Sequence, residues 1–301
     1  MLLTDYLDSY TSQRPGLSAG YCRLLAATAR KLFGWAGRPI PLADVDRSML
    51  ADWARTLLDR GQSAATVNDK LRMIRTILLA AYDDGLLDRP PRRLRRIPEN
   101  PPPPEAWTVD EVRRLLEFLE RLPGWVGRVP SGQWWSSLTL TIYWTGCRIS
   151  AMLRTTAADY RPGGLTIRRQ KNGRGQWYAL PESCCRRIEE VLPESGPIWQ
   201  WPFHPKTLWN RFRRYVELVG LPCPRTHTQL FHRLRRTNAS YCAAVDPAIA
   251  QRQLDHSSYA LTRRSYLDPR IVGEKSAADV LPDPTSPSDD DPQPPRFRVV
   301  G

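Results

Sequence analysis

A proline- and arginine-rich segment, RPPRRLRRIPENPPPPE, divides this chain after its first third. Seven of its 17 residues are proline and five are arginine. Proline has no backbone N–H and a fixed φ, so such a run cannot continue a helix or lie inside a sheet. The sequence therefore predicts an extended linker at residues 89–105, with a folded domain on either side. A chain of 301 residues is long enough for two domains of ordinary size.

The part before the linker, residues 1–88, carries apolar side chains at helical spacing, most clearly at 21–33, 49–58 and 67–78. Ser63 is the predicted N-cap of the last of these helices, and Gly85 marks its predicted end. We therefore expect a helical first domain. The basic residues predicted to lie on the polar faces of its helices are Arg23, Arg30, Lys31, Lys70, Arg72 and Arg75.

The part after the linker predicts a second, mainly helical domain at residues 106–277. Thr108 and Glu111 have the spacing of a capping box, and an apolar stripe at i, i+3, i+4, i+7 follows them. Residues 165–180 alternate in strand fashion around Asn172–Gly173, which predicts a β-hairpin. The expected fold class is mainly α with a small β-hairpin or sheet (α+β). Further helices are predicted at 135–144, 181–191, 206–219, 229–244 and 247–254.

The charge of the chain is unevenly distributed. The formal net charge is +13 with a pI near 9.8, but residues 276–301 carry five Asp and two Arg, so the remaining 275 residues carry +16. A body this basic favours a polyanionic partner, most often nucleic acid. An arginine-rich proteome would give the same charge, because only five of the 44 basic residues are lysines. The acidic, proline-rich residues 278–301 predict a disordered tail.

Several functional classes are not supported. The six cysteines form no C-x-x-C pair, and a zinc site made of Cys184, Cys185, Cys223 and His204 would have no recognisable spacing, so we expect reduced thiols and no metal. Signatures of P-loop NTPases, G-x-S-x-G hydrolases and H-E-x-x-H metalloproteases are absent, and we expect no cofactor. Acids occupy the N-terminus where a signal peptide needs bases, and no apolar run approaches ~20 residues. The prediction is a cytoplasmic protein without membrane contact.

Six residues in four short segments share the ability to bind or act on a phosphate. In chain order they are Arg148 after T-G-C, Lys171 at the hairpin, His232 and Arg235 in H-R-L-R, His256 in L-D-H-S-S, and Tyr266 ten residues later. Each segment alone occurs often by chance. The i, i+3 spacing of His232 and Arg235 in the third segment places both on one helix face. The order and context of all six are what is specific.

That ordered set resembles the catalytic domain of tyrosine recombinases, also called phage integrases, over about residues 106–270. Residues 1–88 resemble, more weakly, the helical core-binding (SAM-like) domain of the same family. The resemblance implies a site-specific DNA recombinase that cleaves and rejoins duplex DNA through a 3′-phosphotyrosyl intermediate, without metal or ATP. Preorganised cations suit this reaction, because negative charge builds on the equatorial oxygens of the phosphorus.

The resemblance also implies a role for each residue. Arg148 and Arg235 would clamp the scissile phosphate, Lys171 would protonate the departing 5′-oxygen, His232 would assist proton transfer at the nucleophile, His256 would hydrogen-bond the phosphate, and Tyr266 would attack phosphorus. Arginine suits the clamp because its planar fork pairs bidentately with phosphate and keeps its proton. By spacing, Tyr241 and Tyr259 are weaker candidates for the nucleophile.

Two positions depart from the family pattern. Ala151 stands three residues after the first arginine, where the family usually carries Glu or Asp. Asp255 stands before His256, where the family usually has glycine, and its carboxylate could raise the pKa of that histidine. These departures keep open a non-catalytic DNA-binding protein derived from the fold. A type IB-like topoisomerase, which uses the same phosphotyrosine step, is a second alternative.

The partner implied is double-stranded DNA. By resemblance, four protomers would assemble on the synaptic complex as a homotetramer, the protein being monomeric without DNA and associated with the nucleoid. Many arginine–phosphate contacts would make DNA affinity fall steeply with salt. Besides the basic residues of the first domain named above, the predicted DNA contacts in the linker are Arg92, Arg93, Arg95 and Arg96.

Overall fold

The computed structural model describes residues 1–168, 175–224, 229–256 and 258–273. Lys171, the predicted turn at Asn172–Gly173 and the predicted tail 278–301 lie outside the described residues. The chain divides into two compact units, Met1–Pro101 and Pro102–Gly301. Across the described ranges, no helix combines the length and the apolar composition needed to cross a membrane.

The first unit is helical. It contains α1 (Leu3–Ser12), α2 (Ala19–Ala36), α3 (Arg47–Asp59) and α4 (Ala64–Asp83), with a 3₁₀ turn at Leu42–Asp44. Helix α4 contacts the other three helices, so its apolar residues form the centre of this unit's core. The two predicted ends of α4 are confirmed: the Ser63 side chain accepts a hydrogen bond from the backbone N–H of Thr66, the third residue of the helix, and Gly85 lies just past the helix at a φ of 74°.

One prediction about α4 is wrong. The helical pattern places Lys70 on the polar face, but its side chain is buried and its ammonium group donates to Oε1 of Gln62. Burial, together with the positive charge of Lys31, lowers the pKa of Lys70. The reason is that α4 packs against three helices, so its buried surface is wider than the single apolar stripe that the spacing reveals.

The proline- and arginine-rich segment is partly attached to the first unit. Leu94 and Ile97 pack against that unit's core. Asn68 of α4 holds the main chain of Ile97 twice: its amide donates to the carbonyl oxygen at 2.9 Å, and its Oδ1 accepts from the N–H at 3.0 Å. These two hydrogen bonds and the apolar contacts fix residues 94–97 on α4.

In its described residues the second unit is mainly helical with two small antiparallel sheets, which agrees with the predicted fold class. Strands β1 and β2 pair with each other, and β3, β4 and β5 form a sheet in that order. The elements in chain order are α5 (Val109–Glu120), β1 (Trp125–Val126), β2 (Val129–Pro130), α6 (Ser131–Thr145), α7 (Ile149–Met152), a 3₁₀ turn (Ala157–Asp159), β3 (Tyr160–Arg161), β4 (Gly164–Ile167), β5 (Gln176–Ala179), α8 (Glu182–Glu189), α9 (Pro205–Leu218), α10 (Leu230–Val245), α11 (Pro247–Gln253), α12 (Tyr259–Tyr266) and α13 (Pro269–Val272).

Helix α6 forms the centre of the second unit. Most of its residues are buried, on all sides of the helix, and it contacts α5, α8 and α10. A helix buried all round cannot show the one-sided stripe of a surface helix, and α6 has little amphipathic character. The predicted capping box of Thr108 and Glu111 is present at the start of α5. At the other end of α5, Gly132 allows α6 to approach, since a Cβ there would lie 2.3 Å from the carbonyl oxygen of Glu120.

Strand β5 of the predicted hairpin is hydrogen-bonded to the end of α11. Strands β4 and β5 pair antiparallel with Ile167 opposite Gln176, which agrees with the hairpin pattern. The Gln176 amide donates to the carbonyl of Arg252 at 3.1 Å, and the Tyr178 hydroxyl donates to the carbonyl of Gln253 at 3.2 Å. The strands that flank Lys171 in the sequence are therefore fastened to the segment that leads to His256.

Candidate active site

Arg235 of α10 is a buried cation held by main-chain oxygens. Its side chain is 1% exposed. Nη1 donates to the carbonyl of Gly146, and Nη2 donates to the carbonyl of Leu254 at 2.9 Å. These two residues are the C-caps of α6 and α11, where the helix dipole places negative partial charge. Within the described residues, no carboxylate pairs with Arg235 and its Nε makes no hydrogen bond.

Gly146 has to be glycine for two reasons. Its φ is 62°, a left-handed conformation that other L-residues rarely adopt. A Cβ at this position would also lie 2.6 Å from Oδ1 of Asn238 and 3.1 Å from Cδ2 of Leu254. The amide of Asn238 in turn donates to the last carbonyls of α6, at Tyr143 and Trp144. The T-G-C-R motif thus ends α6 in a tight turn that presents a carbonyl to Arg235.

His256 lies against the same guanidinium. Its Nε2 is 3.2 Å from Nη2 of Arg235, and its Nδ1 is 2.9 Å from Oγ1 of Thr262 on α12. The preceding residue, Asp255, has a φ of 53°. Among the described residues it is the one non-glycine residue with a left-handed backbone. The backbone at residue 255 is left-handed, and His256 directly after it contacts Arg235. A left-handed conformation favours glycine, which gives a physical reason for the glycine that the family usually has at this position.

Tyr266, at the C-terminal end of α12, faces this cluster. The guanidinium carbon of Arg235 lies 5.1 Å from the centre of the tyrosine ring. The His256 ring is 4.8 Å from it and the His232 ring 6.4 Å, measured between centroids. Tyr266 as a residue is half-buried. Four of the six predicted site residues therefore meet in one place.

Both histidines of the cluster have a pKa lowered to about 4. Burial is the largest cause for each, followed by the positive charge of Arg235, and Arg148 contributes to both. The suggestion that the carboxylate of Asp255 raises the pKa of His256 is therefore wrong, because burial and two arginines act in the opposite direction. Near neutral pH both imidazoles are uncharged.

Arg148 lies near enough to the cluster for its positive charge to contribute to the lowered pKa of both histidines. It is half-buried at the N-cap of α7, two residues past the glycine turn. Lys171 lies outside the described residues. Ala151 is buried one turn after Arg148 and lines a hollow of about 570 Å³ together with Asp159, whose carboxylate accepts from Arg168. Among the described residues, no three His, Cys, Asp or Glu side chains gather as metal ligands do.

The sequence profile of the phage integrase family matches residues 105–270, more than half of the chain. The chain belongs to the phage integrase family. The match begins at the first residues of the second unit and ends four residues after Tyr266, so it spans every element that carries the cluster. Among curated protein sequences, none matches this integrase-family chain.

Solved integrase structures share the fold along most of the chain. Lambda integrase (75–356), solved as a dimer bound to a COC′ core site, has a TM-score of 0.70 at 20% identity, covering 92% of this chain and 98% of that one. The Tn1549 transposon integrase (82–397), in complex with circular intermediate DNA, has a TM-score of 0.67 at 16% identity, covering 93% and 97%. A lambda integrase tetramer bound to a Holliday junction has a TM-score of 0.68 at 18% identity, covering 92% and 79%. The likeness includes the first unit, which the family profile does not reach.

The first unit contains a groove lined by arginines. Its volume is about 360 Å³, and apolar side chains of α3 and α4 are among those that line it. Two acids line it, Asp69 and Glu99, which pair with arginines on its rim. Of the predicted DNA contacts, Arg23, Arg30 and Lys31 are exposed elsewhere on α2. Six predicted contacts line this arginine groove: Arg72, Arg75, Arg92, Arg93, Arg95 and Arg96.

Sequence reasoning did not find Thr262, which contacts the cluster, or Asp268, which anchors the segment just after Tyr266. Thr262 is fully buried against His256, one helical turn before Tyr266; its signal is the i, i+4 spacing to the tyrosine. Asp268 is 1% exposed and accepts hydrogen bonds from Arg270 and from the N–H of Ala106 at 2.8 Å. It ties the segment after Tyr266 to the start of the second unit, and no local pattern indicates a contact across 162 residues.

Proposed function

We propose that this protein is a site-specific recombinase that cleaves and rejoins double-stranded DNA through a 3′-phosphotyrosyl intermediate at Tyr266. The proposal rests mainly on the environment of Arg235. Its buried guanidinium donates to carbonyls at two helix C-termini, and the Tyr266 ring packs against it. A carboxylate partner would neutralise this cation. Main-chain carbonyls offset the cost of its burial and leave its formal charge available to a phosphate.

The scissile phosphate would bind to Arg148 and Arg235. Both are arginines, which remain protonated at any physiological pH and pair with two phosphate oxygens at once. The Nε of Arg235, without a partner among the described residues, supplies a donor for one of these oxygens. Charge develops on the equatorial oxygens during the displacement, and fixed donors stabilise it without reorganising.

Tyr266 would be the nucleophile. In the proposed step its hydroxyl proton passes to an uncharged imidazole, that of His232, while the phenol oxygen forms a bond to phosphorus and the bond from phosphorus to the 5′-oxygen breaks. The departing oxygen takes a proton from Lys171, leaving a free 5′-hydroxyl. In the empty site the lowered pKa keeps the His232 ring uncharged but makes it a weak base, and the negative charge of a bound phosphate would raise that pKa towards the range useful for accepting a proton. The covalent link conserves the phosphodiester energy, so the reverse reaction rejoins the strand.

DNA contacts in the first unit would come from the arginine groove. It combines six arginines with two carboxylates, an excess of positive charge that attracts the phosphate backbone. The similar integrases were solved as a dimer bound to a core site, in complex with circular intermediate DNA, and as a tetramer bound to a Holliday junction. By analogy, we propose that four copies of this chain assemble on two recombining sites.

The proposal is tested by trapping the covalent intermediate. Wild type, Tyr266→Phe and Tyr259→Phe are expressed in the native cells, protein is denatured rapidly, and DNA covalently attached to it is recovered and sequenced. Tyr259 is the matched control because it begins the same helix, α12. Wild type and Tyr259→Phe should yield attached DNA, and Tyr266→Phe at least 100-fold less, with unchanged DNA binding.

Two results would contradict the proposal in different ways. Attached DNA that survives Tyr266→Phe would show that another residue is the nucleophile. A wild-type protein that binds DNA but never becomes attached to it would be a non-catalytic DNA-binding protein.

A further inference from the structure

Thr262 connects the two halves of the active-site cluster. Its side chain is fully buried, and its hydroxyl contacts Nδ1 of His256 at 2.9 Å. It lies on α12 four residues before Tyr266, so both side chains project from one face of the helix. The hydroxyl thus joins the helix of the tyrosine to the imidazole beside Arg235.

The contacts of His256 determine which nitrogen carries its proton. A guanidinium can only donate, so Nε2 of His256, 3.2 Å from Nη2 of Arg235, accepts a hydrogen bond. The imidazole is uncharged near neutral pH, so its one proton is on Nδ1. Nδ1 then donates to Oγ1 of Thr262, and the hydroxyl acts as acceptor.

This arrangement changes when a phosphate enters. A phosphate oxygen bound to Arg235 would take the Nη2 donor away from His256 and present an acceptor near Nε2. An unprotonated Nε2 would face that oxygen with a lone pair, which is unfavourable. The imidazole needs its proton on Nε2 to donate to the phosphate, and Nδ1 then needs a donor. A hydroxyl can take either part, because it carries both a proton and lone pairs.

We propose that Thr262 is a positioning residue that lets His256 exchange tautomers when phosphate binds. With the site empty, Thr262 accepts from Nδ1–H. With phosphate on Arg235, water takes the proton from Nδ1 and returns one to Nε2, and the hydroxyl rotates to donate to Nδ1. The imidazole gains no net proton and keeps its orientation. This inference rests on the proposed function, since it assigns His256 to the phosphate.

Two conservative variants distinguish a positioning role of the Thr262 hydroxyl from a role in packing alone. Thr262→Val keeps the branched shape and the packing of a fully buried side chain but removes the hydroxyl. Thr262→Ser keeps the hydroxyl and leaves a methyl-sized gap, which costs stability. If packing is all that matters, valine is the better replacement. If the hydroxyl matters, serine is.

The direct test is the tautomer itself. The chain has four histidines, so ¹⁵N-histidine NMR spectra of the full chain are simple, and His256→Gln assigns the signal. The wild type should show His256 protonated on Nδ1 without ligand, and on Nε2 at saturating inorganic phosphate. Thr262→Ser should show the same exchange and Thr262→Val should not. A wild-type His256 protonated on Nε2 in the empty site, or an exchange that persists in Thr262→Val, overturns the proposal.

The rate of covalent attachment to DNA gives the second readout. Thr262→Val should form the phosphotyrosyl adduct about tenfold more slowly than wild type, the effect of one lost hydrogen bond, and Thr262→Ser should be faster than valine although less stable to urea. Rates that follow stability, with valine above serine, would mean packing alone. Tyr266→Phe is measured alongside: an adduct that survives it defeats the proposed function, whereas the NMR result still decides the role of Thr262.

Discussion

The guanidinium carbon of Arg235 lies 5.1 Å from the centre of the Tyr266 ring. A cation over an aromatic face at this distance is attracted by the ring quadrupole. The same guanidinium is fixed by two carbonyls and contacts His256. A phosphate that binds to Arg235 is therefore brought beside the tyrosine and a histidine by one side chain.

The first prediction concerns the shape of that cation. Arg235→Lys keeps the charge, but a compact ammonium cannot reach both carbonyls and a phosphate. Adduct formation should fall at least 100-fold, and one carbonyl without a donor should lower the free energy of unfolding by about 1–3 kcal/mol. Arg233→Lys, a buried arginine of the same helix paired with Glu105, is the control. The rate of adduct formation is measured on DNA, and the free energy of unfolding is measured in urea. Equal adduct rates for the two variants would remove Arg235 from the site.

At position 255 a glycine variant should be more stable than an alanine variant. Its φ of 53° costs a residue with a Cβ about 1 kcal/mol, less for Asp and Asn than for others. Asp255→Gly should therefore be about 1 kcal/mol more stable than Asp255→Ala in urea unfolding, although glycine is the more flexible residue when unfolded. At an ordinary helical position the order is reversed. A glycine variant less stable than alanine would show that the left-handed turn is absent.

Acid should destabilise the second unit through its two cluster histidines. Each has a pKa of about 4 in the folded protein, against an ordinary value of 6.5, so the unfolded chain binds more protons between these values. Stability is then fully present above pH 6.5 and falls as pH drops towards 4, by at most about 1.4 kcal/mol per pH unit for each histidine. The double variant His232→Gln/His256→Gln should flatten this slope. His204→Gln, at an exposed helix N-cap, serves as control. Identical slopes for all three proteins would contradict the burial of the histidines.

The arginine groove should contribute to the salt dependence of DNA binding. On a duplex of mixed sequence, the logarithm of the binding constant should fall linearly with the logarithm of salt concentration. Replacing one groove arginine, Arg92 or Arg95, by alanine should reduce the slope by about 0.9. Arg38→Ala, an exposed arginine outside the groove that pairs with Asp44, should leave the slope unchanged. Binding that hardly changes between low and physiological salt would exclude contacts to the phosphate backbone.

Local patterns predicted the helices well because their signals are local. The capping residues Ser63, Thr108 and Glu111 act within one turn, and the apolar stripes act within one helix. The burial of Lys70 was not predictable in this way, because it depends on how many helices pack around α4. A periodic pattern reveals that a helix has a buried face, but the width of that face is set by tertiary packing.

The residues of the cluster around Arg235 were predicted from their type and order in the sequence, whereas the groups that hold them in place were not. Arg235, His256 and Tyr266 each have a recognisable motif. The carbonyls that hold Arg235 are 89 and 19 residues away from it in the chain, and every residue has a carbonyl, so no sequence signal marks them. Asp268 and Thr262 likewise act through partners that only the folded chain brings near. The roles of Arg148, Lys171 and the other predicted site residues stay predictions.

Because main-chain carbonyls hold Arg235, substitutions elsewhere in the chain have a limited effect on its position. A side-chain partner can vanish through one codon change, but a carbonyl oxygen is present whichever amino acid occupies the position. As long as α6 and α11 end where they do, with glycine retained at residue 146, the oxygens stay in place. Most mutations elsewhere cannot delete them. A chain built in this way can replace many of its side chains and still hold this guanidinium in place.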